Sequence, residues 1–161
     1  MRSRIVVGAC FALLASVTAC GEEAAPDPAQ VPDPLKTARE LLSLHGVLGK
    51  QPEDRPDQAK EQPVDPQALA ALVADLDGHD PFVTDLYVGF VVGALSRYQD
   101  KLVATASAGR ATVVAGRARI AMKLDDQAWK IVLEESVPRE IKERAAAEKR
   151  RFDEAKARGA K

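Results

Sequence analysis

The chain has 161 residues, 46% hydrophobic and 29% charged, with a net charge of -1. These are the proportions of an ordinary globular protein, and they exclude a general electrostatic attraction to nucleic acid. Aromatic residues make up only 4%, too few for extended surfaces on which bases or sugars could stack.

The first twenty residues read as an address. Arg2 and Arg4 form a short basic start. Residues 5–15 form an apolar run of about 11, within the ~7–15 of a signal peptide and short of the ~20 that span a bilayer. Val17-Thr18-Ala19-Cys20 follows and resembles the lipobox of bacterial lipoproteins. Small residues there let the peptidase reach the backbone, and the thiol accepts a diacylglycerol before cleavage. Val7-Gly8-Ala9-Cys10 fits the same four-residue pattern, but cleavage there would leave almost no apolar region. The expectation is therefore a signal peptide over residues 1–19, lost together with Cys10, and a lipidated Cys20 that holds the chain to a membrane. An ordinary secretory signal or an uncleaved anchor is the alternative; basic start, apolar length, box and following linker together favour lipidation. One acyl chain binds reversibly at ~0.8 kcal/mol per buried CH₂, and the two of a diacylglycerol hold. The resemblance implies a cell-envelope location. Gly21, where an Asp tends to retain lipoproteins in the inner membrane, implies the outer membrane, facing the periplasm. About 140 residues then remain, enough for one domain with a core of its own.

Residues 20–33 are rich in Pro, Ala and acid (Glu22, Glu23, Pro26, Asp27, Pro28), without apolar periodicity, and read as a tether. Residues 50–65 have the same character and read as a linker. Asp33-Pro34, Asp65-Pro66 and Asp80-Pro81 each precede an apolar-periodic stretch. Asp accepts from the first free N–H groups of a helix, and Pro fits the first helical position. Three helix starts follow. The first helix is expected from Pro34 to Leu48 and closed by Gly49. The second is expected from Pro66 to Asp77, with Leu69, Leu72, Val73 and Leu76 on one face and Gly78 at its end. The third, from Pro81 to Tyr98, is apolar almost all round and reads as the central buried helix. Its Gly89 and Gly93 are four apart. A run this short cannot span a membrane, so the pair is expected to pack closely against a neighbouring element.

The period then changes to two. Strands are expected over residues 102–107 and 111–115, with a turn at Ala108-Gly109 and a bend at Gly116. Ala118, Ile120, Met122 and Leu124 alternate with Arg117, Arg119 and Lys123. After Asp125-Asp126-Gln127, Trp129, Ile131 and Leu133 alternate with Lys130 and Glu134. These are antiparallel strands with one buried and one basic face. Val137-Pro138 opens a charged last helix whose first half docks, with Glu140–Arg144 and Glu154–Arg158 as i,i+4 pairs. The fold class is thus α+β: about three helices, a small curled antiparallel sheet of three to four strands and a charged C-terminal helix. The core domain is expected over residues 66–136, the first helix over 34–49 and the last over 137–161.

Chemistry is harder to place. His45 lies on the apolar stripe of the first helix, where packing explains it better than catalysis. Asp75, Asp77, His79 and Asp80 offer oxygen ligands at alternate positions, but Leu86 stands where an EF-hand loop would need Glu. The serines after the signal, Ser43, Ser96, Ser107 and Ser136, lie in no nucleophile elbow. No phosphate loop, dinucleotide fingerprint or zinc spacing appears, so no cofactor, metal or catalytic residue is expected. Lipidation at Cys20 is the one site assigned.

Helices followed by curled strands that end in Trp129-Lys130-Ile131-Val132, with Gly109-Arg110-Ala111-Thr112-Val113 on an earlier strand, resemble the nuclear transport factor 2-like (cystatin-like) cone found in some bacterial lipoproteins. The resemblance covers roughly residues 66–136 and carries no acid-base pair over. Two function classes follow: a noncatalytic envelope module taking an envelope protein or small-molecule ligand on the concave face of the sheet, or a small pocket isomerase or dehydratase. A third is an envelope-assembly accessory whose terminal helix docks on a partner. Poverty in His, Cys and Tyr favours the first.

Overall fold

The computed structural model describes residues 32–50, 64–74 and 76–159. The signal peptide, Cys20 and most of the tether and linker lie outside them. The architecture is α+β: an open five-stranded sheet of order β1-β5-β4-β3-β2 with helices against it.

All three Asp-Pro sites start helices. α1 (Pro34–Leu44), α2 (Pro66–Leu72) and α3 (Pro81–Arg97) each carry Pro in the first turn. The capping carboxylates of Asp33, Asp65 and Asp80 accept from the backbone N–H of Leu35, Gln67 and Phe82 at 2.9, 3.0 and 3.0 Å. α1 ends four residues earlier than expected, at Gly46 and not at Gly49. The Val47 N–H donates to the Leu42 carbonyl and the Gly46 N–H to the Ser43 carbonyl, a Schellman closure that needs the left-handed φ of +62° at Gly46.

The expectation for α2 is also corrected. Its helix stops at Leu72, and Val73–Ala74 forms β1, paired in parallel with Ile131 and Val132 at the free edge of β5. Continuing the helix would leave that edge open. A 3-10 turn, Leu76–Gly78, then leads towards Asp80.

The remaining strands are β2 (Val103–Ser107), β3 (Arg110–Ala115), β4 (Ala118–Asp125) and β5 (Ala128–Val132), antiparallel in sequence order. Gly116 does not bend one strand; Gly116-Arg117 is the tight turn between β3 and β4. β5 ends at Val132, and Leu133 opens a single helical turn, α4 (Leu133–Ser136). The Ser136 hydroxyl there donates to the Val132 carbonyl at 2.7 Å and accepts from the Ala121 N–H at 2.9 Å, replacing a ladder partner that β5 no longer supplies.

The core lies between the sheet and α1 and α3. Val113, Ile120, Met122 and Ile131 are fully buried on the inner face, with Trp129 at 2% exposure, against Ala38, Leu41, Leu42, Val91 and Leu95. Trp129 is also tied by polar contacts: its indole N–H donates to the Pro32 carbonyl, and its own carbonyl accepts from the Thr37 hydroxyl at 3.0 Å. Arg119 stands exposed on the other face, as the alternation requires. α5 (Arg139–Gly159) buries only Ala145, and Phe152, half exposed, stacks on Phe82 of α3. Glu154 pairs with Arg158 as expected, but Arg144 bonds to Glu148, one turn further on, in place of Glu140. Every residue of the core cluster lies within residues 35–145.

Candidate functional site: a groove on the open face of α3

α3 is apolar almost all round, yet only one of its faces is core. Tyr87, Val88, Val91, Val92 and Leu95 are buried, whereas Gly89 is exposed and Phe90, Gly93 and Ala94 are half-buried. The expected close packing of Gly89 and Gly93 is overturned: a methyl group at either would meet no side chain or neighbouring element within 4 Å. α1, α4, α5 and β3 all contact α3, yet no described side chain lies against Gly89 or Gly93. Small side chains here make a channel and not a contact.

The channel is one wall of a groove of ≈ 740 Å³, within the ~300–1,000 Å³ common for ligand sites. Ala115 and Ala118, on either side of the β3–β4 turn, and Pro138, before α5, supply the facing wall. Phe90 and Tyr98 add aromatic surface, and Arg97 and Arg117 carry charge. Tyr98 is seated by Gly116, where a Cβ would overlap its ring, and Gly116 itself has φ +62°. Glycine is thus required there twice, by conformation and by space.

Arg97 and Arg117 are exposed, and neither has an ion-pair or hydrogen-bond partner among the described residues. Arg39, Arg119, Arg150 and Arg151 are likewise exposed and without a partner among the described residues, whereas other bases are engaged. Arg110 holds Glu135 at 2.8 Å, which raises the guanidinium pKa; Lys130 holds Asp125 at 2.9 Å, which lowers that carboxyl below its usual range; Lys149 holds Asp153 and Asp80. Among the described residues, no carboxylate, histidine, cysteine or serine lines the groove. Its described lining thus combines apolar surface with two cationic side chains.

The residues singled out in the sequence lie elsewhere. Cys20 and Asp75 are outside the described residues. His45 is the C-cap of α1, half-buried. Asp80 is a helix cap that also touches Lys149 at 3.3 Å. Ser96, buried, donates to the Gly93 carbonyl at 3.3 Å, and Ser136 is the ladder substitute already described. The inner face of the sheet is filled by core side chains. Gly89 and Gly93 were the visible signal for the groove; the alternation marked Arg117 only as part of a basic solvated face, and Arg97 and Tyr98 carried no signal, because the β3–β4 turn brings the three together only in three dimensions. A second hollow of ≈ 400 Å³ at Arg39, Leu48 and Asp100 is bridged by Gln99, which bonds Gly49 N–H and Lys50 C=O at 2.8 and 3.1 Å; it reads as a loop clamp.

No protein-family model, no curated protein and no solved structure matches the chain.

Proposed function

We propose that the protein is an envelope lipoprotein, anchored through Cys20, whose domain binds a ligand or partner and performs no chemistry on it. Anchoring rests on the order of basic start, apolar run, lipobox and acidic Pro-rich tether. Binding rests on one observation: a groove with an apolar floor and two guanidinium groups that have no partner among the described residues, none of which brings an acid-base pair to its lining. The likeness to the nuclear transport factor 2-like cone is part of the same proposal. Its two signature segments lie on β3 and β5, which flank β4.

Cys20→Ala tests the anchor. The variant chain should lose its acyl label and leave the membrane fraction under high salt, and inhibition of the lipoprotein signal peptidase should leave a larger precursor of the parent protein. Acylation of the variant would overturn the assignment to Cys20.

A further inference from the structure

We infer that the α3 groove takes an amphiphilic carboxylate, with one acyl chain lying along Gly89, Gly93 and Ala94 and its carboxylate held by Arg97 and Arg117. This rests on the binding reading above and names the class of ligand. Charge argues for the head. Both guanidinium groups line the groove, and among the described residues neither has a partner and no acid joins them in the lining. A planar carboxylate matches the donor fork of arginine, and charge-assisted bonds of this kind are about twice as strong as neutral ones.

The floor argues for the chain. Gly89, Gly93, Ala94, Ala115 and Ala118 offer no polar side-chain atom, and the carbonyls of Gly89 and Gly93 are taken up within α3; only the last carbonyls of the helix, at the Arg97 end, are left without a partner in it. A peptide or sugar lying along Gly89 and Gly93 would lose water from its polar groups and find no side-chain replacement on that floor. An acyl chain has no such groups and gains with every CH₂ buried. Nucleic acid would need a run of phosphate contacts, and the groove supplies two cations. The site is also formed in advance, because Gly116 fixes the Tyr98 wall and the glycines leave the channel open without rearrangement.

The test is calorimetric titration of the unlipidated chain beginning at Gly21, whose core lies wholly within residues 35–145. The probe is sodium laurate below its micelle concentration, with 1-dodecanol and acetate as controls. Laurate should bind saturably at one site, dodecanol about tenfold or more weaker, and acetate without measurable heat. Arg97→Ala with Arg117→Ala should reduce laurate to the dodecanol level. Gly93→Leu should abolish binding of both long chains while urea unfolding shows a domain at least as stable, since the position is open. No laurate binding, equal binding of laurate and dodecanol, or laurate binding indifferent to Gly93→Leu would each overturn the inference. Cells separate this failure from that of the broader reading. If laurate does not bind but chromosomal Gly93→Leu reproduces the phenotype of deletion, the ligand class is wrong and the groove still binds. If deletion has a phenotype and Gly93→Leu has none, the binding reading falls as well.

Discussion

The two faces of α3 have similar hydropathy and opposite fates. One face presents Tyr87, Val88, Val91, Val92 and Leu95 to the core; the other presents Gly89, Phe90, Gly93 and Ala94 to a groove. The difference lies in side-chain volume. Branched and aromatic residues fill space between α3 and its neighbours, as close packing demands. Glycine and alanine on the opposite face leave space beside Phe90, and the β3–β4 turn and Pro138 stand across it as a facing wall without filling it. An apolar helix face is therefore not by itself a buried face; what it lacks in volume it leaves as space.

Substitutions on the buried side should sharpen this contrast most. Trp129→Ala, across the core from α3, should cost ~3–5 kcal/mol, and Leu95→Ala ~2–5 kcal/mol. A small domain has only about 5–15 kcal/mol in total, so urea unfolding should show the tryptophan variant barely folded, and parent Trp129 emission should be blue-shifted. Arg119→Ala, on the outward face of β4, should change stability by less than ~0.5 kcal/mol; equal effects of Trp129→Ala and Arg119→Ala would mean that the sheet register is wrong. On the groove side, Gly116→Ala should cost ~1–3 kcal/mol for the left-handed backbone alone, with a further loss from displacing Tyr98. Melting of the variant with unchanged stability would contradict the seating of Tyr98. A smaller effect is expected from pH. Burial, and then the charge of Glu134, push the Tyr87 hydroxyl above its ordinary value of 10.0. Its contribution is complete below the unfolded value and declines as pH rises through the raised folded value. Stability should therefore fall on the alkaline side, and Tyr87→Phe should flatten that slope in urea titrations on either side of pH 10.

How much of this was legible depends on whether the cause was local. Asp33-Pro34, Asp65-Pro66 and Asp80-Pro81 name helix starts because cap and first turn involve adjacent residues. The alternation through β4 and β5 places Trp129 inside and Arg119 outside for the same reason. The end of α1 was ambiguous because Gly46 and Gly49 both adopt positive φ, and only the hydrogen bonds from Gly46 and Val47 decide between them. β1 was invisible. Two residues acquire a strand only because β5, remote in sequence, offers an unpaired edge to Val73 and Ala74. The groove was half legible: spacing marks Gly89 and Gly93 as a small-residue stripe, but whether a neighbour fills it is a tertiary fact. The same spacing serves close packing and open channel, and the choice belongs to α1, α4 and α5, which pack on other parts of α3.

The central claim, that the glycine face of α3 is open, is tested most directly by the urea-unfolding stability of Gly93→Ala in the chain beginning at Gly21. An open position in mid-helix gains from alanine, because glycine there costs ~0.5–1 kcal/mol in backbone entropy. The account predicts a variant more stable by that amount, with an unchanged circular dichroism spectrum. A loss of ~1–3 kcal/mol, the cost of overpacking a filled site, would contradict it and show Gly93 pressed against a neighbour.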